Sequence, residues 1–322
     1  MTKSPPEALQ SVHEGPLVSV VIATYNRAHA VGRAIRSALA QTFDDFEIIV
    51  VDDGSADDTA EVVQRIEDPR IRFLRHEGNL GPSAARNTGI RASRGTYVAL
   101  LDSDDEWMPD KLRQQVRHMV HAAPRVGLVY TGYERVDDQG IRDRIIPEQR
   151  GDVYQALLLR NVLLGCASTA LVRTSCLSEI GLFDERLFAS EDYDLWLRIA
   201  KQYEIEYLPG VLARVYLHGE GRLSENLVAK EAAFDLLAAK HRSELPRRIN
   251  SRVQAHRYYF VGAAWLRRGE RRRAGATLWK AVRARPTCAR AWALLGLSLV
   301  REKDEACLRR AWHRVKSIVQ RR

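Results

Sequence analysis

The sequence predicts an α/β domain on a mostly parallel sheet, followed by an all-α module. Three observations carry this. Between Leu17 and Asp102, short β-branched apolar runs alternate four times with stretches of helical periodicity, the pattern of βαβ units. Polar clusters end three of those runs, where ligands bind in such sheets. The charge balance breaks near residue 240. Residues 1–240 hold 28 Lys and Arg against 36 Asp and Glu, a balance of −8, whereas residues 241–322 hold 22 against 5, a balance of +17.

The elements follow in order. LVSVVIA (17–23) is a buried strand ending at TYN, and AHAVGRAIRSALAQ is a helix on Val31, Ile35, Ala38 and Leu39. EIIVVDD (47–53) is a second buried strand; GSADDT supplies a turn and N-cap for the helix AEVVQRI. IRFLRH is a third strand, NLGPSAARNTGIRAS a loop entering a helix, and TYVALLD a fourth strand. A helix from Lys111 to His121 leads to the strand VGLVYTGYERVDD, a candidate for antiparallel pairing, and a long loop to Asp152. GDVYQALLLRN is a helix, CASTALVR a strand, FASEDYDLWLRIAKQ a loop entering a helix, and EIEYLPGVLARVYLHGEG extended. A helix over 224–242 links onward.

The basic tail carries a repeat. With Pro286 ending a unit, Tyr258, Val261, Gly262, Trp265, Gly269, Ala274, Leu278 and Ala281 occupy the positions of the 34-residue tetratricopeptide pattern. Trp292, Leu295 and Gly296 restart it 34 residues after Tyr258, Val261 and Gly262. An ordinary helical hairpin is the competing reading. The expected organisation is a disordered tail over 1–15, the α/β domain over 16–225 and the tetratricopeptide-like module over 226–322.

Hydrophobic content of 45% and charged content of 28% over 322 residues exclude disordered and fibrous classes. No apolar run is long enough to span a bilayer, and MTKSPPEALQ has no signal-like core. Cys166, Cys176, Cys288 and Cys307 show no metal or redox spacing. Cytoplasmic residence is expected. The tail's charge suits a protein partner or peripheral attachment to the anionic inner face of a membrane; nucleic acid ranks lower.

LLDSDDEWMP sets four carboxylates within five positions at a strand end. Asp102 and Asp104 can converge on a hard divalent cation, or the stretch is a solvated turn with Asp110 capping a helix. Asp53 can accept hydrogen bonds from a base or ribose, or cap the following helix with Ser55 and Asp58. Tyr25 offers a ring for stacking and Arg27 a cation for phosphate, against a plain surface turn. Glu191 and Asp192 open a helix: the dipole favours acids there, and a carboxylate so placed is also a natural general base. His218 sits in the loop HGEGRLS, where solvation is the default.

Taken in order, VSVVIATYNRAHAVGRAIRSALAQTF, FEIIVVDDGSADDT, NLGPSAARNTGI, GTYVALLDSDDEWMPDKL, GLFDERLFASEDYDLWLRI and VYLHGEGRLS resemble the family 2 glycosyltransferases of GT-A fold over roughly residues 16–225. The resemblance implies a metal-dependent inverting transferase for nucleotide-diphosphate sugars, UDP-linked as first choice, in polysaccharide or glycoconjugate assembly. It implies that Thr24, Tyr25, Arg27, Asp53 and Asp102 bind the donor, that Asp102 and Asp104 hold Mn²⁺ or Mg²⁺ with His218 as a further candidate, and that Asp192 is the catalytic base. The chain lacks the Gln-x-x-Arg-Trp motif of processive synthases. A sugar-nucleotide pyrophosphorylase is disfavoured because TYNRAHAV is no Gly-rich basic loop. A non-catalytic nucleotide-binding scaffold, recruiting partners through its tail, is the alternative.

Overall fold

The computed structural model describes residues 15–159, 161, 163, 167–217 and 226–299. It divides into two compact units, one of residues 1–186 and 191–220, the other of residues 187–190 and 221–322.

In the first unit the described strands form one sheet: β1 (Val18–Thr24), β2 (Phe46–Asp52), β3 (Ile71–Arg75), β4 (Tyr97–Leu100), β5 (Glu106–Trp107), β6 (Val126–Asp137), β7 (Gly140–Ile145), β8 (Leu171–Arg173) and β9 (Glu204–Tyr216). Their order is β3-β2-β1-β4-β8-β6-β9-β5, with β7 paired to β6. β3, β2, β1 and β4 are mutually parallel. β8 runs antiparallel to both β4 and β6, and β6 pairs β9 in parallel. Val20, Ile22, Ile48, Val50 and Ala99 are fully buried, as strands covered on both faces require.

The order 3-2-1-4 matters most. The chain leaves β1 toward β2 and β3, then returns to the other side of β1 as β4, so a crevice opens between the carboxyl ends of β1 and β4. Helices α1 (Val31–Leu39), α2 (Thr59–Gln64) and α3 (Pro82–Ala92) make the crossovers, and α4 (Lys111–His121) follows β5. α3 lies close on β1: a Cβ built on Gly89 falls 2.4 Å from Val21 Cγ1.

Four local expectations need correction. The long loop before Asp152 contains β7, which closes a hairpin on β6 through the Arg135–Asp143 ion pair. CASTALVR forms a single 3₁₀ turn at Ala167–Thr169 before β8, which has only three residues. Helix α5 (Tyr154–Leu159) was expected, whereas α6 (Thr174–Ile180) was not; α7 (Glu191–Ala200) begins at the acidic pair. Asp110 stands at the N-cap of α4 without capping it, since its carboxylate accepts from Thr42 and Arg113.

The second unit holds α8 (Leu227–Lys240), α9 (Arg247–Arg267), α10 (Arg271–Ala284) and α11 (Ala289–Leu299). Its core joins Val261, Trp265, Ala274, Leu278 and Leu294. Gly262 lets α9 and α10 approach, because a Cβ there would fall 2.5 Å from Leu278 Cγ. Gly269, at φ +76°, makes the turn between them.

A candidate active site at the carboxyl ends of the parallel strands

β1 ends at Thr24, whose hydroxyl is buried and finds no hydrogen-bond partner among the described residues. Tyr25 is 42% exposed. Asn26, at φ +50°, staples the β1 turn to the β2 turn: its N–H donates to Ser55 Oγ at 2.8 Å and its side-chain carbonyl accepts from Ala56 N–H at 2.9 Å. Arg27 Nε lies 3.8 Å from Asp104 Oδ2. At the end of β2, Asp53 has a structural role the sequence did not show. Its carboxylate accepts from the N–H groups of Leu80 (2.9 Å) and Gly81 (2.8 Å) and meets His76 Nδ1 at 2.7 Å, holding the segment that leads into α3.

The four carboxylates after β4 divide by direction. Asp105 and Glu106 are tied to β9: buried Asp105 accepts from Ser168 Oγ at 2.6 Å and Tyr216 N–H at 3.3 Å, and partly exposed Glu106 accepts from the Tyr216 hydroxyl at 2.7 Å. Asp102 and Asp104 stay partly exposed, at 25% and 23% of their side-chain surface. Arg33 braces the turn, donating to the Asp104 carbonyl at 2.7 Å while its guanidinium lies 3.6 Å from the Tyr216 ring centre. Among the described residues no three His, Cys, Asp or Glu side chains gather as a closed metal shell. Two accessible carboxylates fit Mg²⁺ or Mn²⁺, which retain water and accept substrate phosphate oxygens. His218 lies outside the described residues.

Arg86, on α3, is the residue that sequence reasoning missed. Its guanidinium donates to Asp102 Oδ1 and Glu191 Oε1, each at 2.7 Å, with 10% of its side chain exposed. It thereby ties the β4 turn to the start of α7. The available signal was a cation among the small and apolar residues of SAARNTGI that form the buried side of α3. Next to it, Asn87 fixes the approach to α7 through both backbone groups of Phe183, at 3.0 and 2.9 Å.

Asp192 follows Glu191, just after Ser190, which holds the left-handed φ of +58°. It is half-buried and accepts the Tyr193 N–H at 2.7 Å. Burial, helped by the Glu191 charge and opposed by Arg86, pushes its carboxyl up to about 7. Thus the structure brings Asp102, Asp104, Arg27 and Asp192 to one region, with Thr24 and Tyr25 on the neighbouring strand end.

The profile described as Glycosyl transferase family 2 matches residues 19–181. The chain belongs to this family. The Escherichia coli protein "UDP-Glc:alpha-D-GlcNAc-diphosphoundecaprenol beta-1,3-glucosyltransferase WfgD" is 32% identical over 211 residues, which cover 65% of this chain and 80% of that one. "Succinoglycan biosynthesis protein ExoO" of Rhizobium meliloti is 42% identical over 137 residues, 42% of this chain and 38% of its own. An "Uncharacterized glycosyltransferase" of Rickettsia felis is 35% identical over 64% of this chain, a match spanning only 35% of that longer protein. Among solved structures, S. aureus TarS 1-349 in complex with UDP-GlcNAc superposes with a TM-score of 0.63 at 21% identity, over 86% of this chain and 83% of that one. "Mannosyltransferase PcManGT from Pyrobaculum calidifontis in complex with GDP-Man and Mn2+" gives 0.58 at 20% identity, over 94% and 86%. The fold is GT-A, followed by helices.

Proposed function

We propose that this family 2 member is a divalent-metal-dependent, inverting hexosyltransferase that uses a nucleotide-diphosphate sugar in polysaccharide or glycoconjugate assembly. The observation that carries the reading is the Arg86 bridge, which sets the Asp-x-Asp turn and the Glu191–Asp192 helix start against each other. Donor and base chemistry thereby share one crevice. Thr24, Tyr25 and Arg27 line the donor side. Asp53, buried beneath the strand end, shapes that side by holding the 76–81 segment through Leu80, Gly81 and His76; its place in donor binding is part of this proposal. Asp102 and Asp104 would hold Mn²⁺ or Mg²⁺, which when bound supplies neutralising charge to a leaving diphosphate.

Asp192 takes the proton from the acceptor hydroxyl as that oxygen bonds to the anomeric carbon, and the carbon–oxygen bond to the diphosphate breaks on the opposite face. One displacement inverts the centre. A carboxylate raised toward neutrality suits this work better than an ordinary one. UDP is the first candidate nucleotide, since WfgD and TarS are named with UDP-linked sugars. The domain limits 16–225 and 226–322 are part of the same reading. So is a tetratricopeptide-like docking module, supported by the Gly262 approach and the Gly269 turn. Cytoplasmic residence is also proposed; no helix among the described residues is long and apolar enough to cross a membrane.

Calorimetry with UDP, GDP and dTDP, with and without Mn²⁺, tests the proposal. Metal-dependent binding of one nucleotide is expected. Nucleotide binding without sugar transfer would leave the scaffold alternative in its place, and no binding of any by the folded protein would overturn the transferase reading.

A further inference from the structure

The described helices of the second unit are strongly and unusually basic. Residues 226–299 hold sixteen Lys and Arg, thirteen of them Arg, against four Asp and Glu, a balance of +12. The acids Glu231 and Asp235 are engaged by Lys280, at 2.8 and 3.1 Å. Arg242, Arg248, Arg252, Arg272 and Arg283 are exposed and form no ion pair among the described residues.

On α10, Arg272, Ala276, Trp279 and Arg283 follow one another at spacings of four, three and four, so they share one face, and all are exposed. Trp279 meets Trp292 of α11 edge to face, with ring centres 6.1 Å apart, yet the two remain 48% and 47% exposed. Leu299 continues the Trp292 stripe along α11 at 77% exposure. Two indoles and a leucine left toward water beside arginines are unusual for a surface without a partner. Tryptophan favours the boundary between headgroups and acyl chains, where its ring is buried and its edge stays wet.

We propose that this α10–α11 face is a docking surface for an anionic lipid membrane. Trp279, Trp292 and Leu299 sit at headgroup depth, and Arg272 and Arg283 meet lipid phosphates. The pairing of half-exposed indoles with arginines unpaired among the described residues, on one face, favours lipid over an acidic protein: the rings suit the headgroup–acyl boundary while the guanidiniums meet the phosphates above it. The inference rests on the reading of this unit as a docking module and is independent of the transfer chemistry.

The test is sedimentation of the full chain with vesicles of phosphatidylcholine, alone or mixed with phosphatidylglycerol, at low and high salt. Nucleotide binding is measured on the same samples, so failure of the docking surface and failure of the transferase reading are told apart. Binding to the anionic vesicles only, weakened by salt, is expected. Arg272→Glu with Arg283→Glu should weaken it by at least about tenfold. Arg247→Glu with Arg248→Glu, the same change in net charge at the start of α9, should weaken it clearly less. Trp279→Ala with Trp292→Ala should weaken it at unchanged net charge and unchanged helical content. Absence of binding to anionic vesicles, as an acidic protein partner would give, overturns the proposal. So does equal loss in the two charge-reversed variants, which would mean diffuse attraction without a face.

Discussion

Glu191 and Asp192 are adjacent carboxylates in different surroundings. Glu191 is engaged by Arg86 at 2.7 Å, while Asp192 carries the raised pKa of about 7. A base must be unprotonated, so turnover should fall as pH drops through that pKa, and a cation at Asp102 would draw the fall to lower pH. Glu191→Gln removes the neighbouring negative charge and should move the acid limb of kcat/KM further down; a limb that stays or rises contradicts the assignment. Asp192→Asn should cut kcat by about 10²–10⁴-fold while nucleotide binding persists, and unchanged turnover would remove Asp192 from the mechanism. The same variant has a sign in stability. A carboxyl whose pKa rises on folding binds more protons folded than unfolded between its ordinary value and about 7, so its contribution falls as pH rises through that window. Asp192→Asn should therefore raise Tm above pH 7. Asp102, Asp104 and Asp192 could be picked from the sequence because clustered acids at strand and helix ends stand out against their cost. Arg86 could not, because its partners lie 16 and 105 residues away and a helical arginine is ordinarily solvated.

Among the elements, α3 links fold to site. Its N-terminal turn is fixed by Asp53, its middle presents Arg86 and Asn87, and its later half rests on β1 through Gly89. The N-terminal half of the sheet was legible because β1, β2 and β4 carry the apolar runs VVIA, IIVV and YVAL, whose burial on both faces leaves no alternation to interpret. β7 and β8 were not: GIRDRI is polar, and three residues of LVR carry no period, so their pairing is decided by neighbouring strands, β6 for β7 and both β4 and β6 for β8, rather than by local sequence. Gly89 gives the sharpest test at this scale. Gly89→Ala puts a methyl 2.4 Å from Val21 Cγ1, and relief requires α3 to lift from the sheet, at a cost of about 1–3 kcal/mol. Because Arg86 moves with the helix, activity should fall as well. Val21→Ala should restore part of both in the double variant, and strictly additive losses would show that the two residues are not the point of conflict.

At the scale of the whole molecule, the chain comprises two units with separate cores and opposite charge. One core gathers the sheet residues around Val20, Ile48 and Leu112; the other joins Val261, Leu278 and Leu294. The crevice proposed for the donor is built from residues of the first unit. A nucleotide with Mn²⁺ that binds only the folded first unit raises its stability by about 2.7 kcal/mol at a hundredfold excess over Kd. Calorimetric unfolding should accordingly resolve two transitions, with the saturating nucleotide moving one of them. Gly262→Ala, which sets a Cβ 2.5 Å from Leu278 Cγ in the second core, should lower the other and leave nucleotide affinity intact. If instead the nucleotide shifts both transitions together, or Gly262→Ala weakens nucleotide binding, the units unfold as one cooperative body and the helical module is coupled energetically to the donor site. Two transitions moved independently would mean that the helical module contributes no stability to the unit that binds nucleotide.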